Sequence, residues 1–248
     1  MMDEPLVPNP QAAASAAPAG NSHSATRRVD PTRRSLLWKT LDLPARIFTT
    51  LLFDLKVYGL EHIPRRGGAI LAANHQSYLD PVLLGTRLSR PLSYMAKSEL
   101  FGNRFFGWLI RSLHAFPVRQ GSGDVGAIKE SVRRVQDGYL LNIYPEGTRT
   151  ETGDLQPILN GVALVVRRAG VPVIPAIVHG AFDAWPPHRK LPRARGPIIV
   201  MYGPPLDLAG LKGEQITRKI DQTFHRMMAD ARAKRREFEE ADPWLRRR

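Results

Sequence analysis

The heptapeptide Asn74-His75-Gln76-Ser77-Tyr78-Leu79-Asp80 sets an imidazole and a carboxylate five positions apart. A neutral imidazole takes a proton from a hydroxyl, and a carboxylate on its other nitrogen fixes the tautomer and steadies the imidazolium. A second stretch, Tyr144-Pro145-Glu146-Gly147-Thr148-Arg149, offers another carboxylate and a guanidinium around a glycine. Each stretch follows an apolar run, Ala69–Ala73 and Tyr139–Tyr144. Both runs read as buried strands, and Pro81–Leu88 reads as a helix. The candidate residues therefore fall at strand ends, where open α/β sheets place their chemistry. A structural reading competes. Ser77 with Asp80 fits a capping box, and Asp80-Pro81 fits a helix N-cap with proline at the first helical position. On spacing alone, His75 is equally a turn residue and Asp80 a helix-start residue.

Strand and helix patterns alternate along the rest of the chain. Val57–Gly59, Leu92–Ala96, Ala115–Val118, Val171–Val178 and Pro197–Tyr202 read as further strands, and Asp124 reads as the cap of a helix ending at Gly138. The expectation is an α/β fold, a mostly parallel sheet flanked by helices on both faces. Lys97 and Arg119 close two of these strands, and the Gly-rich turn Gly121-Ser122-Gly123 follows the second.

With Asn-His-x-x-x-x-Asp first and Tyr-Pro-Glu-Gly-Thr-Arg after it, the order of blocks resembles the glycerolipid acyltransferase family. Phe116-Pro117-Val118-Arg119 and Val171-Pro172-Val173-Ile174-Pro175-Ala176 are similar to two further blocks of that family, and Lys97 matches a recurrent basic position. The resemblance covers roughly Val57 to Leu208. It implies a glycerol-3-phosphate acyltransferase-like fold and transfer of a fatty acyl group from acyl-CoA or acyl-carrier protein to the free hydroxyl of 1-acylglycerol-3-phosphate. The product would be phosphatidic acid, an intermediate of phospholipid biosynthesis. In that reading His75 is the base and Asp80 orients it. Lys97, Arg119, Glu146, Gly147, Thr148 and Arg149 hold the acceptor, with Glu146 orienting Arg149 or accepting from a glycerol hydroxyl. No cofactor or metal is implied. Tyr144 stands where the family has phenylalanine, and neither it nor Pro117-Val118 is expected to touch a catalytic group. The resemblance leaves other lyso-lipid acceptors open. A thioesterase using water, or using Ser77 as nucleophile, is the competing enzyme class, although no Gly-x-Ser-x-Gly elbow is present.

Composition narrows the partners. The 36 basic residues against 23 acidic give a net charge of +13, which calls for an anionic partner. Nucleic acid, phosphorylated substrates and an anionic membrane surface all meet that need, and the resemblance points to a lysophospholipid and the membrane, with no nucleic acid expected. The chain lacks cysteine, which removes disulfides, thiolate metal sites and a cysteine nucleophile. The N-terminus carries Asp3 and Glu4 and has no apolar core of a signal peptide. No apolar run is long enough for a conventional transmembrane helix.

Residues 1–32, rich in Ala, Pro and Ser, read as a disordered tail. Residues 33–54 read as one or two short amphipathic helices, with Asp42 and Pro44 breaking any clean span. They suit a membrane interface with Trp38 at headgroup level, and equally a cover for the core. The resemblance tips the choice to the interface, hence a peripheral or monotopic protein on the cytoplasmic face of the cell membrane. Residues 55–241 form the expected acyltransferase domain, and 242–248 a basic tail. The aromatic helix over Phe101–Leu113 is expected to pack in the core, the default for such side chains.

Overall fold

Short apolar runs bounded by glycine and proline become strands, and in the computed structural model seven of them form one sheet. Residues 30–119, 124–193 and 196–242 are described. The tail as far as residue 29, the Gly121-Ser122-Gly123 turn and Arg246-Arg247-Arg248 lie outside them. The strands are β1 (Lys56–Tyr58), β2 (Ala69–Ala73), β3 (Leu92–Lys97), β4 (Ala115–Val118), β5 (Leu140–Ile143), β6 (Val173–His179) and β7 (Ile199–Tyr202). Their order across the sheet is β1-β7-β6-β2-β5-β3-β4, and every neighbouring pair is parallel except β6 with β7. The helices are α1 (Leu36–Phe53), α2 (Asp80–Gly85), α3 (Arg104–Ser112), α4 (Val125–Gln136), α5 (Gly161–Ala169), α6 (Ala181–Ala184) and α7 (Gly213–Ala241).

The five residues of β2 are all buried because alternate side chains feed two cores. Ala69, Leu71 and Ala73 pack with Phe53 and with Leu83 and Leu84 of α2. Ile70 and Ala72 face the other way, toward Val135 of α4, Val166 of α5 and Phe224 of α7. Right-handed crossovers put α2 and α3 on the first face, since β2, β3 and β4 advance in one direction across the sheet. The chain then reverses, which puts α4 and α5 on the second.

Entry into β2 is tight. A Cβ on Gly68 would lie 1.7 Å from the carbonyl oxygen of Val135, so only glycine lets α4 approach the strand. The fully buried guanidinium of Arg90 fastens the same corner, donating to the carbonyls of Pro64, Gly67 and Gly138.

Three local expectations are corrected. The segment before β1 is one 18-residue helix with Pro44 inside it. Asp42 does not interrupt it, because Arg46 and Arg34 meet its carboxylate at 2.9 and 3.4 Å. Trp38 does not stand out toward headgroups. It is 9% exposed, beneath the Arg34 guanidinium, and shares a packed edge with Thr49 and Phe53. The rest of α1 turns outward, with Leu36, Leu43, Ile47 and Leu51 all more than half exposed. The third correction is α3, whose aromatic side chains are not core. Gly107 is its one buried residue, while Phe105 is 72% and Trp108 55% exposed.

Candidate active site

Register decides which residues meet. Ala72 of β2 pairs with Ile143 of β5, so His75 and Glu146, each three residues further on, leave neighbouring strands at the same level. Tyr94 of β3 pairs with Asn142, and Lys97 pairs with Val118 of β4. The strand ends thus line up along one edge as His75, Glu146–Arg149, Lys97 and Arg119. At about 4.8 Å per strand, Lys97 starts ~10 Å and Arg119 ~14 Å from the strand of His75.

The backbone of the His75 turn is pinned from several sides. The Asn74 amide accepts from Val178 N–H at 2.7 Å and donates to Val178 O at 2.9 Å, clamping the end of β2 to β6. Glu146 Oε1 accepts the His75 N–H at 3.3 Å, and Thr150 N–H donates to His75 O at 2.9 Å. Gln76 Nε2 donates to Gly153 O at 2.7 Å. Gly147, at φ +74°, makes the turn that carries the chain from Glu146 toward Arg149.

His75 Nδ1 lies 2.7 Å from Asp80 Oδ2. The same oxygen accepts from the backbone N–H of Gln76 at 2.7 Å and of Ser77 at 2.8 Å. Asp80 is fully buried, so three donors around one oxygen compensate the loss of water there. The carboxylate accepts from Nδ1–H, which leaves Nε2 as the free lone pair, on a side chain 18% exposed. One oxygen thus holds both the turn and the ring, but no side chain caps the helix, so the capping expectation is corrected. The helix itself starts at Asp80, with Leu79 as N-cap.

Tyr144 is a correction. Its ring stacks on the His75 imidazole with centroids 3.8 Å apart and planes within 8°, so the residue does touch the candidate base. Burial, then the charge of Asp80, holds its phenol well above the usual range and keeps it neutral. Ser77 is no nucleophile. It is fully buried, with Oγ donating to Trp185 O at 2.7 Å and accepting from Leu79 N–H.

Glu146 does not pair with Arg149. Its Oε1 serves the backbone of His75, while Oε2 is buried without a hydrogen bond. Burial pushes its carboxyl up to about 8, against the pull of the His75 and Gln156 N–H groups. Near neutral pH it is a carboxylic acid, able to donate. The Arg149 guanidinium lies 3.6 Å over the Tyr78 ring, and its Nη1 is buried without a hydrogen-bond partner. Lys97 and Thr148 are exposed, and so is Arg119, whose backbone N–H donates to Asp124 Oδ2 at 3.1 Å. Asn74, Tyr144 and Thr150 received no site role in the sequence reading, although the first two lie within the motifs and Thr150 directly follows one.

A family model described as Acyltransferase matches residues 54–179. The chain belongs to the acyltransferase family. The 1-acyl-sn-glycerol-3-phosphate acyltransferase of Bacillus subtilis is 30% identical over 165 residues, 66% of this chain and 79% of its own length. The lyso-ornithine lipid O-acyltransferase of Pseudomonas aeruginosa is 29% identical over 194 residues, 72% of this chain and 73% of its own. Among solved structures, the 1-acyl-sn-glycerophosphate (LPA) acyltransferase PlsC of Thermotoga maritima superposes with a TM-score of 0.67 at 25% identity. The match covers 77% of this chain and 78% of that one. All of the candidate residues from His75 to Arg149 lie inside the acyltransferase match.

Proposed function

We propose that this acyltransferase moves a fatty acyl group from acyl-CoA or acyl-carrier protein to the free hydroxyl of 1-acylglycerol-3-phosphate, forming phosphatidic acid. The observation that carries the chemistry is the 2.7 Å contact between His75 Nδ1 and Asp80 Oδ2, which leaves Nε2 as the base at the mouth of the site. The acceptor hydroxyl gives its proton to Nε2 as its oxygen attacks the thioester carbonyl. Asp80 steadies the imidazolium so formed. The C–S bond then breaks, and His75 returns the proton to the departing thiolate. No acyl-enzyme and no further cofactor enter the scheme.

The acceptor phosphate needs fixed positive charge. Arg149, with a buried nitrogen lacking a partner, offers the nearest forked donor, and Lys97 and Arg119 extend the row along the sheet edge. Glu146, as a neutral acid, has a hydrogen bond to give the acceptor rather than a charge to repel it. Gly147 and Thr148 bring the backbone turn alongside. The name of the Bacillus subtilis relative supports this acceptor, and the lyso-ornithine relative names another. The row of cations favours the phosphorylated one.

The outward face of α1 suits docking on an anionic bilayer, on the side where acyl-CoA and acyl-carrier protein are held. No helix among the described residues is long and apolar enough to cross a membrane. The test is transfer of labelled acyl groups from acyl-CoA and acyl-carrier protein onto lysophosphatidate and lyso-ornithine lipid. Labelled phosphatidic acid is the expected product. Transfer to lyso-ornithine lipid alone overturns the acceptor, and free fatty acid without any acceptor product overturns the reaction.

A further inference from the structure

We propose that α3 is a second lipid-docking element, an aromatic and arginine-bearing face that seats the mouth of the site on an anionic phospholipid bilayer. The inference rests on the reading that the acceptor is a bilayer lipid. Helical periodicity puts Arg104, Phe105 and Trp108 side by side on one exposed face, while Arg111, also exposed and four residues after the buried Gly107, lays its guanidinium 4.7 Å over the Phe101 ring. Phe105 and Trp108, at 72% and 55% exposure, lie with ring centroids 6.1 Å apart, and Leu100 just upstream and Phe106 on the flank are also exposed.

Seating explains why these rings point out. Gly107 rests against the backbone of Phe101, with a hypothetical Cβ only 2.9 Å from its carbonyl oxygen. A helix of nine residues anchored through a glycine cannot also turn its largest side chains inward. Large exposed aromatics are costly in water and mark an interaction surface. Arg104 and Arg111 set the kind of partner. Arginines bordering exposed Phe and Trp reproduce the pattern of an interfacial helix, with rings at the acyl boundary and guanidinium groups at phosphates.

Placement adds the second argument. α3 is reached directly from Lys97 through the short turn Ser98–Phe101, so its start lies at the edge of the sheet that carries His75. The crossovers put it on the same side of the sheet as α2, and α1 reaches that side through Phe53, which joins the core of Leu83 and Leu84, and through Thr50, which accepts from Arg87. Two exposed apolar faces thus border one side of the molecule. A lipid acceptor would enter between them without leaving the interface.

The full-length chain is tested for sedimentation with vesicles of mixed phosphatidylethanolamine and phosphatidylglycerol, beside turnover on a short-chain acceptor kept monomeric in solution. Phe105→Ser/Trp108→Ser is expected to lower partition at least about tenfold while turnover on the soluble acceptor stays within about twofold. Partition equal to the wild type overturns the proposal, as does lost soluble turnover with unchanged partition, which makes the rings an acyl-channel wall. If partition and soluble turnover fall together, Phe105→Tyr/Trp108→Tyr decides. Tyrosine sits at headgroup level as tryptophan does, so recovered partition supports docking and its absence overturns it. Leu43→Ser/Leu51→Ser reports separately on α1. A loss only in the α1 variant overturns the role of α3 and keeps that of α1, and a loss only in the α3 variant does the reverse. A wild-type chain that ignores these vesicles overturns both.

Discussion

At the scale of residues, one oxygen decides the most. Asp80 Oδ2 joins the His75 ring to the backbone of Gln76 and Ser77, so turn geometry and base orientation share a single acceptor. His75→Ala should lower acyl transfer by ~10²–10⁴ with little change in thermal midpoint, because its side chain is partly exposed. Near-normal turnover of the purified variant would refute the mechanism. Asp80→Asn keeps an oxygen for the two backbone donors but no charge for the imidazolium, so turnover should fall far more than stability. Glu146 makes a separate prediction. Its folded carboxyl is raised from the ordinary 4.5 to about 8. Between those values the unfolded chain gives up the proton and the folded chain keeps it, so this group lowers stability as pH rises, until about pH 8. Glu146→Gln, near-isosteric with the neutral acid, lacks that loss. Melting curves should show its midpoint gaining on the wild type up to about pH 8 and no further. A gap independent of pH would mean that Glu146 is ionised throughout.

At the scale of elements, the chain is most legible where apolar runs are short and bounded. The runs at Ala69 and Leu140 could only be strands buried on both faces, and the two motifs at their ends follow from that. The pairing of β2 with β5 is a different matter. It puts Tyr144 on His75 and Glu146 beneath its backbone, and nothing local in either motif encodes it. The fates of α1 and α3 were hidden for another reason. A core helix and an interfacial helix are built from the same Leu, Phe and Trp, and only the way each seats on the sheet separates them. For α1 that seat is one narrow edge, Trp38, Thr49 and Phe53, which leaves most of the helix's apolar side chains outward. Gly68 offers a test of such seating. Gly68→Ala drives a methyl into the Val135 carbonyl, where only a backbone shift gives relief, and should cost ~3 kcal/mol. A lower denaturant midpoint with unchanged slope would register it. An unchanged midpoint would show that α4 slides freely over β2.

At the scale of the whole molecule, the charge of +13 acts beyond any single contact. In the proposed docking it would add attraction to an anionic surface, and salt screens such a pull over ~8–10 Å, whereas buried apolar area is unaffected. Raising salt should therefore release part of the vesicle-bound protein, as sedimentation would show. Complete release would leave the outward faces of α1 and α3 without a role in docking. The order of the strands carries one more consequence. After β1 the chain makes β2, β3 and β4, then returns to place β5 between β2 and β3 and β6 against the far side of β2. Asn74 waits for Val178, 104 positions later. Such distant pairing is slow, and an unfilled slot is an open edge for the wrong strand. Nascent chains stalled before β5 should remain protease-sensitive through β2 and β3, and limited proteolysis of such chains would check it. A ribosome halfway through this message has already made His75 and Asp80, yet their surroundings are incomplete until the late strands arrive beside β2.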